Sequence, residues 1–197
     1  MGQAQISILS EADYLAGEEL PGPRHEYLAG EIYAMSGASK AHGTIAGNLF
    51  AFLRSHLRGT PCRTWMADMK VHVDSARAYY YPDVVVTCSS ADLGPDAPKN
   101  YLQDPQVIIE VLSTSTEKVD RREKWQNYRQ LPDLQEYVLI DQDRQWVEVF
   151  RRADNGWLHE TSSPGETLHL RSLDLLMPLS EVYEDAEVPE TAEKDVT

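Results

Sequence analysis

The sequence predicts an α/β (α+β) fold in which a central mixed β-sheet is flanked by helices. Two apolar stretches, "YYYPDVVV" and "VIIEVL", have the composition of buried strands. Helical patterns occur among the strand patterns without strict alternation, and no internal repeat is visible. This mixture of elements favours a mixed sheet.

The length and charge of the chain restrict the classes of protein that it can belong to. Its 197 residues fit one domain. We expect residues 1–184 to form that domain and residues 185–197 to be an acidic, mobile tail. The net charge of -14 argues against a protein that coats nucleic acid, because binding many phosphates relies on clustered Lys and Arg. The acidic charge also counts against tight DNA binding, although it leaves room for a local basic patch.

The two cysteines and the first residues suggest a cellular location. Cys62 and Cys88 lie in apolar, strand-like contexts and lack a paired metal-ligand spacing, so we expect both to be reduced core residues. No apolar run approaches the roughly 20 residues that a bilayer-spanning helix needs. The first residues have no basic segment leading into an apolar one. We therefore expect a cytoplasmic protein without a membrane partner.

The first half of the chain contains two helical patterns. Ser10 can cap a short helix over residues 11–16, and two short strands surround the turn at Ala29 and Gly30. The next helix is stopped by Gly59 and Pro61. Its apolar face consists of Ile45, Leu49, Phe52, Leu53 and Leu57.

The second half is richer in strands. Strands are expected at residues 62–66 and 69–73, before the two apolar stretches. Residues 89–105 indicate a long surface loop. After "VIIEVL", a capping box of Thr114 and Glu117 predicts a helix that runs to about Gln130. Two further strands, "EYVLID" and "WVEVFR", precede a last hairpin around Trp157 and residues 168–170.

Glu110 is the most informative single residue. An ionised carboxylate within an apolar strand is unfavourable by several kcal/mol unless it is paired or binds a cation. Strand alternation places it on one face with Ile108 and Leu112. The simpler interpretation is a Glu at a strand end, held by an Arg or by backbone N–H groups.

Asp83 and Lys124 can complete a metal-dependent site around Glu110. Asp83 follows a proline at the start of a strand, and hard cations such as Mg²⁺ bind one or two carboxylates together with water and substrate phosphate. Lys124 lies in the helix that leaves the Glu110 strand, from which an ammonium group could reach the metal. The alternatives are an i,i+4 salt bridge of Lys124 with Asp120, or the use of Lys118 or Lys70 as the catalytic lysine.

These motifs, in this order, are similar to those of a known family. The series "GEIYAMSGASKAH", "YYYPDVVV", "VIIEVLSTST", "DRREKWQNYRQLPDLQEYVLID" and "VEVFRR" resembles the Uma2 family of restriction endonucleases, a branch of the PD-(D/E)XK nuclease superfamily. The resemblance covers residues 15–184. It implies a restriction-endonuclease-like core in which Asp83 and Glu110 are the acidic pair.

The resemblance also implies roles for further residues. The superfamily lysine normally follows the Glu by two positions, where this chain has Leu112. In this family the lysine matches Lys124. Glu31 matches an N-terminal acidic position that supplements the metal site, and His42 matches a recurrent histidine, an auxiliary candidate without an assigned role.

The sequence thus predicts a Mg²⁺- or Mn²⁺-dependent endodeoxyribonuclease that acts on DNA as a homodimer. Asp83 and Glu110 would bind the metal, and Lys124 would position the attacking water. Two alternatives stay open: a non-catalytic nuclease-like domain that binds nucleic acid or a protein, and a small-molecule metal hydrolase. The acidic surface and Leu112 favour the non-catalytic domain, whereas the joint presence of Asp83, Glu110 and Lys124 disfavours it.

Overall fold

The computed structural model describes residues 8–35, 37–114 and 116–190. Its helices are short except for the second one. They are α1 (Glu11–Glu18), α2 (Lys40–His56), α3 (Ser90–Leu93), α4 (Glu117–Val119), α5 (Trp125–Tyr128) and α6 (Leu179–Val182). A π-helical segment, Asp120–Lys124, joins α4 to α5 without a break.

The strands form two large sheets and a small one. In chain order they are β1 (His25–Leu28), β2 (Glu31–Ala34), β3 (Arg63–Met66), β4 (Lys70–Val73), β5 (Ala78–Tyr80), β6 (Val84–Thr87), β7 (Tyr101–Leu102), β8 (Pro105–Leu112), β9 (Glu136–Asp141), β10 (Val147–Ala153), β11 (Gly156–Ser162), β12 (Thr167–Leu170) and β13 (Leu175–Pro178). The five-stranded sheet has the order β2-β1-β5-β4-β7, and the six-stranded sheet has the order β11-β10-β9-β8-β6-β3. Strands β12 and β13 pair with each other.

The six-stranded sheet is mixed, which confirms the predicted fold class. Its central strand β8 pairs antiparallel with β6 and parallel with β9. Such a strand is buried on both faces, and this explains why "VIIEVL" is almost continuously apolar. Glu110 shares a face with Ile108 and Leu112, as the alternation predicts.

Two apolar cores cover the two faces of this sheet. On one face, α2 packs through Ile45, Leu49 and Leu53 against Val86 and Ile109. The opposite face is covered by residues of the five-stranded sheet and by the helical segment that ends in α5. Glu110 belongs to this second face, and it is therefore enclosed between the sheet and the helix that carries Lys124.

A strand does start after Pro82 and Asp83, as predicted: it is β6, whereas the tyrosines before Pro82 belong to β5 or follow it. Three local predictions differ from the structure. Residues 89–105 contain α3 and β7, because the Asp92 carboxylate accepts hydrogen bonds from the backbone of Gln103 and Asp104. Thr116 rather than Thr114 precedes α4, and it makes no side-chain cap. The last hairpin is formed by β12 with β13, whereas β11 pairs with β10.

The predicted acidic tail begins on the body of the protein. Ala186 is buried in the core beside α2, and the carbonyl groups of Val188 and Pro189 accept hydrogen bonds from Gln145. The rest of the predicted tail, residues 191–197, lies outside the described residues. Within the ranges that the structure describes, no helix has the length and apolarity needed to cross a membrane.

The expectation of two reduced cysteines is wrong for this structure, in which Cys62 and Cys88 form a disulfide. Arg63 pairs with Thr87 at the end of the antiparallel β3–β6 ladder. The residues just outside this pair are the two cysteines, so the strand register places them opposite each other. A stable disulfide is more typical of an oxidising compartment than of the cytosol, and the cytoplasmic location stays a prediction.

We expect loss of this disulfide to destabilise the protein by about 3 kcal/mol, because the bond closes a loop in the unfolded chain. The measurement is urea denaturation of the oxidised protein, of the reduced protein and of the Cys62→Ala/Cys88→Ala variant. A thiol titration of the unfolded, unreduced protein should find no free thiol. Equal urea midpoints for all three samples would contradict the expectation.

Candidate active site

Asp83 lies where the chain leaves the five-stranded sheet for the six-stranded one. Pro82 precedes it and has no backbone N–H to donate to a strand ladder. The two oxygens of Asp83 are held from different elements. His42 Nε2 of α2 lies 2.8 Å from Oδ1, and the backbone N–H of Val111 in β8 donates to Oδ2 at 2.7 Å. Asp83 is therefore fixed next to the Glu110 strand.

His42 comes from the first turn of α2, where the Ser39 hydroxyl caps the helix by accepting the His42 backbone N–H. Its ring is largely buried against Asp83. Burial would lower the pKa of His42, but the hydrogen bond and charge of Asp83 raise that pKa above its ordinary value. The pair thus favours an imidazolium that orients the Asp83 carboxylate.

Glu110 is almost completely enclosed, with 3% of its surface exposed. Its Oε1 atom accepts hydrogen bonds from Lys124 Nζ at 3.1 Å and from the Tyr128 hydroxyl at 3.3 Å. Burial raises the pKa of Glu110 well above its usual range, the charge of Lys124 opposes this, and the neighbouring carboxylates of Asp120 and Asp83 raise it further. Without a further cation, burial and these neighbours therefore bias Glu110 toward its neutral form, and a bound cation would favour its charged form.

Lys124 is the centre of the buried charges. Its Nζ atom lies 2.9 Å from Glu26, 3.1 Å from Glu110 and 3.2 Å from Asp120. Burial would lower the pKa of Lys124, but Glu110, Glu26 and Asp120 together raise it well above the usual value. Lys124 consequently remains an ammonium group. The simpler expectation, an i,i+4 pair with Asp120, is also correct, but it describes only part of the arrangement.

The π-helical segment Asp120–Lys124 carries two of these charges. Its wider turn leaves both Asp120 and Lys124 buried on the side that faces β8. π-Helical turns are rare and often occur at functional sites. The carbonyl oxygen of Asp120 accepts a hydrogen bond from the buried hydroxyl of Tyr137, which fixes the segment to β9.

The carboxyl groups near Lys124 are oxygen donors of the type that hard divalent cations bind. Glu26, Asp83, Glu110 and Asp120 outnumber the cationic groups Lys124 and His42. The Asp120 Oδ1 atom is 3.2 Å from Nζ but out of line for a hydrogen bond, and it has no other partner within the described part of the chain. Across residues 8–35, 37–114 and 116–190, no three acidic, His or Cys side chains are arranged to hold a metal by themselves. A cation would therefore need water or phosphate oxygens as well, which is usual for Mg²⁺.

The other residues that the sequence predicted do not contact Lys124 or its carboxylate partners. Glu31 is exposed and accepts a hydrogen bond from the Tyr33 hydroxyl at 2.6 Å. Lys118 is exposed on α4. Lys70 is buried elsewhere and donates to the Tyr81 hydroxyl. The structure thus brings Asp83, Glu110, Lys124 and His42 together.

Glu26 and Asp120 were not predicted as site residues. Strand β1 pairs Glu26 with Tyr33 and Leu28 with Glu31, so both glutamates share one face of the hairpin. Only Glu26 reaches Lys124, and its Oε1 atom also accepts the backbone N–H of Tyr81 at 3.1 Å. The sequence suggested Asp120 only as a salt-bridge partner of Lys124. The i,i+4 spacing of the two residues was the one local pattern that indicated their proximity.

Comparisons with known proteins agree with this architecture. Residues 11–179 match the model of the Uma2 family, whose description is "Putative restriction endonuclease". Two relatives come from Synechocystis sp. "Uncharacterized protein slr1290" is 34% identical over 181 residues, which cover 91% of this chain and 94% of the relative. "Uncharacterized protein sll1609" is 35% identical over 156 residues, which cover 79% and 88%.

A solved structure has a similar fold. It is described as "a putative nuclease belonging to DUF820 from Anabaena variabilis". The TM-score is 0.72 and the sequence identity is 19%, with 88% of this chain and 98% of that chain covered. This likeness supports the restriction-endonuclease-like fold that the sequence motifs imply.

We expect Lys124→Met to lower the free energy of unfolding by about 3–5 kcal/mol, because it leaves the buried carboxyl groups of Glu110 and Asp120 and the partly buried one of Glu26 without their cation. Lys118→Met removes the same charge from an exposed position of the same helical region and should change stability by less than about 0.5 kcal/mol. Urea denaturation without metal measures both. A Lys124→Met protein as stable as Lys118→Met would show that the buried charges are not mutually dependent.

Proposed function

The chain belongs to the Uma2 family, and we propose that it is a Mg²⁺- or Mn²⁺-dependent endonuclease that hydrolyses phosphodiester bonds of DNA. One observation carries the proposal: Lys124 contacts Glu110, and Asp83 accepts the backbone N–H of Val111, the residue after Glu110, so that two carboxyl groups and an ammonium group lie close together. A hard cation is a partner that carboxylate oxygens of this kind bind. Family membership supports the substrate class, and this geometry supports the metal chemistry.

Asp83 and Glu110 are the proposed metal-binding residues, with the carbonyl group of Val111 as a further donor. Asp83 is held in place by His42 and by the Val111 N–H, so that its carboxylate needs little reorganisation. Glu110 is fixed by Lys124 and Tyr128. When bound, the ion would supply positive charge beside the reacting phosphate and would acidify water.

Lys124 is the proposed source of a fixed positive charge. Glu26 and Asp120 keep its ammonium group charged and hold it beside Glu110. An ammonium held in this way can orient a water molecule and stabilise negative charge that develops on the phosphate oxygens. Because the group is enclosed on the protein side, its electrostatic effect is weakly screened by solvent.

The predicted homodimer is part of the proposal, since cutting both strands of a duplex requires two active sites. The end strand β2 supports it, because Ile32, Tyr33 and Met35 in and after β2 are exposed apolar residues. The alternative is a non-catalytic nuclease-like domain, and the third candidate is a small-molecule metal hydrolase on the same scaffold. A DNA cleavage assay with added metal separates a nuclease from these two alternatives.

We expect the protein to cleave supercoiled or single-stranded DNA with Mg²⁺ or Mn²⁺ and to lose this activity in EDTA. Asp83→Asn and Glu110→Gln should each reduce cleavage by about 100-fold or more, because they remove charge from the metal site while keeping the side-chain size. Gel electrophoresis of the DNA measures cleavage, and calorimetric titration measures the binding of Mg²⁺.

Asp104→Asn is the matched control for these variants, since Asp104 bonds Ser89 at the far end of β6. It should cleave like the wild type. A folded Glu110→Gln protein with full activity would refute the assignment of the site. Mg²⁺ binding without cleavage of any DNA would favour one of the two alternatives, and no metal binding would favour a decayed site.

A comparison of Glu26→Gln with Glu31→Gln tests which glutamate of the β1–β2 hairpin serves the site. We expect Glu26→Gln to lower cleavage by about 10- to 100-fold, because it weakens the environment that keeps Lys124 in place. Glu31 is proposed to act at the exposed edge, so its loss should have a smaller effect. The measurement is the rate of DNA cleavage at saturating Mg²⁺. A larger loss of rate in Glu31→Gln than in Glu26→Gln would show that Glu31, not Glu26, serves the site.

A further inference from the structure

A cavity at the far end of α2 has an unusual lining for so acidic a protein. It has a volume of about 280 Å³ and lies between the last turn of α2, the following loop and the start of β3. We call it the arginine cavity; its lining includes Arg54, Arg58, Gly59, Cys62, Arg63 and Thr64. His42 and Arg54 are twelve residues apart on α2, and the cavity is therefore about 18 Å along the helix axis from the active site.

The three arginines of this cavity have no acidic partner among the residues that the structure describes. The lining contains no acidic residue. In the described ranges, none of the three forms an ion pair, whereas six of the other nine arginines do: Arg24, Arg77, Arg121, Arg144, Arg151 and Arg171. The carboxyl end of α2 provides a compensating charge of only about half a unit. Most of the positive charge of the cavity thus remains unneutralised.

Polar groups in the wall add hydrogen-bonding capacity. The Arg63 guanidinium is held against the wall because its Nη1 donates to the carbonyl groups of Thr60 and Cys62. Thr64 is 94% buried at the cavity, and among the residues described its hydroxyl finds no hydrogen-bond partner. The Thr64 oxygen has almost no accessible surface and lies behind the cavity wall, so the arginine N–H groups are the donors that an anion in the cavity would meet.

We propose that the arginine cavity binds an oxyanion of the phosphate type, namely the terminal phosphate of a nucleotide or of a nucleic-acid strand. Planar guanidinium groups match phosphate oxygens in pairs, which an isolated ammonium does not. The cavity volume is at the lower end of the range for small-molecule sites, roughly 300–1,000 Å³. A cavity of this volume can admit a terminal phosphate. The site does not depend on the proposed nuclease activity.

The test is calorimetric titration of the full chain in EDTA, so that no metal-dependent cleavage occurs. The probes are inorganic phosphate, adenosine 5′-monophosphate, and one oligonucleotide with and without a 5′-phosphate, all at one ionic strength in chloride. We expect binding of inorganic phosphate and at least about tenfold tighter binding of the phosphorylated oligonucleotide than of the unphosphorylated one. Tighter binding of the oligonucleotide than of the nucleotide identifies a strand end as the source, and the reverse identifies a nucleotide.

Two double variants with the same change of charge make the test specific. Arg54→Gln/Arg58→Gln should weaken phosphate binding at least about tenfold. Lys99→Gln/Arg129→Gln, which alters exposed residues outside the cavity, should bind like the wild type. Equal affinities of the two double variants would overturn the proposal, and so would inorganic phosphate that gives no binding heat above the chloride background. Because the readout is binding without metal, its failure leaves the nuclease proposal untouched.

Discussion

The enclosed ammonium group of Lys124 is the interaction on which the rest of the site depends. Its three carboxylate partners come from β1, β8 and the π-helical segment, of which β1 is far from the other two in the sequence. Burying Glu110 and Asp120 without a cation would be unfavourable by several kcal/mol. The same contact that prepares the chemistry therefore also holds the first hairpin and the helix against the central sheet.

Much of the fold follows from local patterns in the sequence. The apolar run of β8 and the helical spacing of Ile45, Leu49 and Leu53 predict their elements correctly, since each signal lies within one element. Pro82 likewise predicts correctly that a new strand starts after it. That the residues on the two sides of Pro82 pair with different sheets could not be predicted, because it depends on strand partners that are distant in the sequence.

The site was predictable only in part, for a related reason. Glu110 is conspicuous because it interrupts an apolar strand, whereas Glu26 and Glu31 are both ordinary glutamates of a short hairpin. Which of them faces Lys124 is decided by where β1 joins β5, a contact between residues about fifty positions apart. The disulfide was missed similarly, because it depends on the register of β3 against β6.

The hydrogen bonds that Asp83 and Glu26 accept have a consequence for how the family is interpreted. The backbone N–H groups of Val111 and Tyr81 donate to these side chains rather than to carbonyl groups. The carboxylates thus complete the backbone hydrogen bonding at the point where the chain passes between the sheets. Selection for folding alone would preserve them, even in a descendant that had lost its activity. The presence of Asp83 or Glu26 in a relative is therefore not by itself a mark of catalysis, because both carboxylates also serve the backbone.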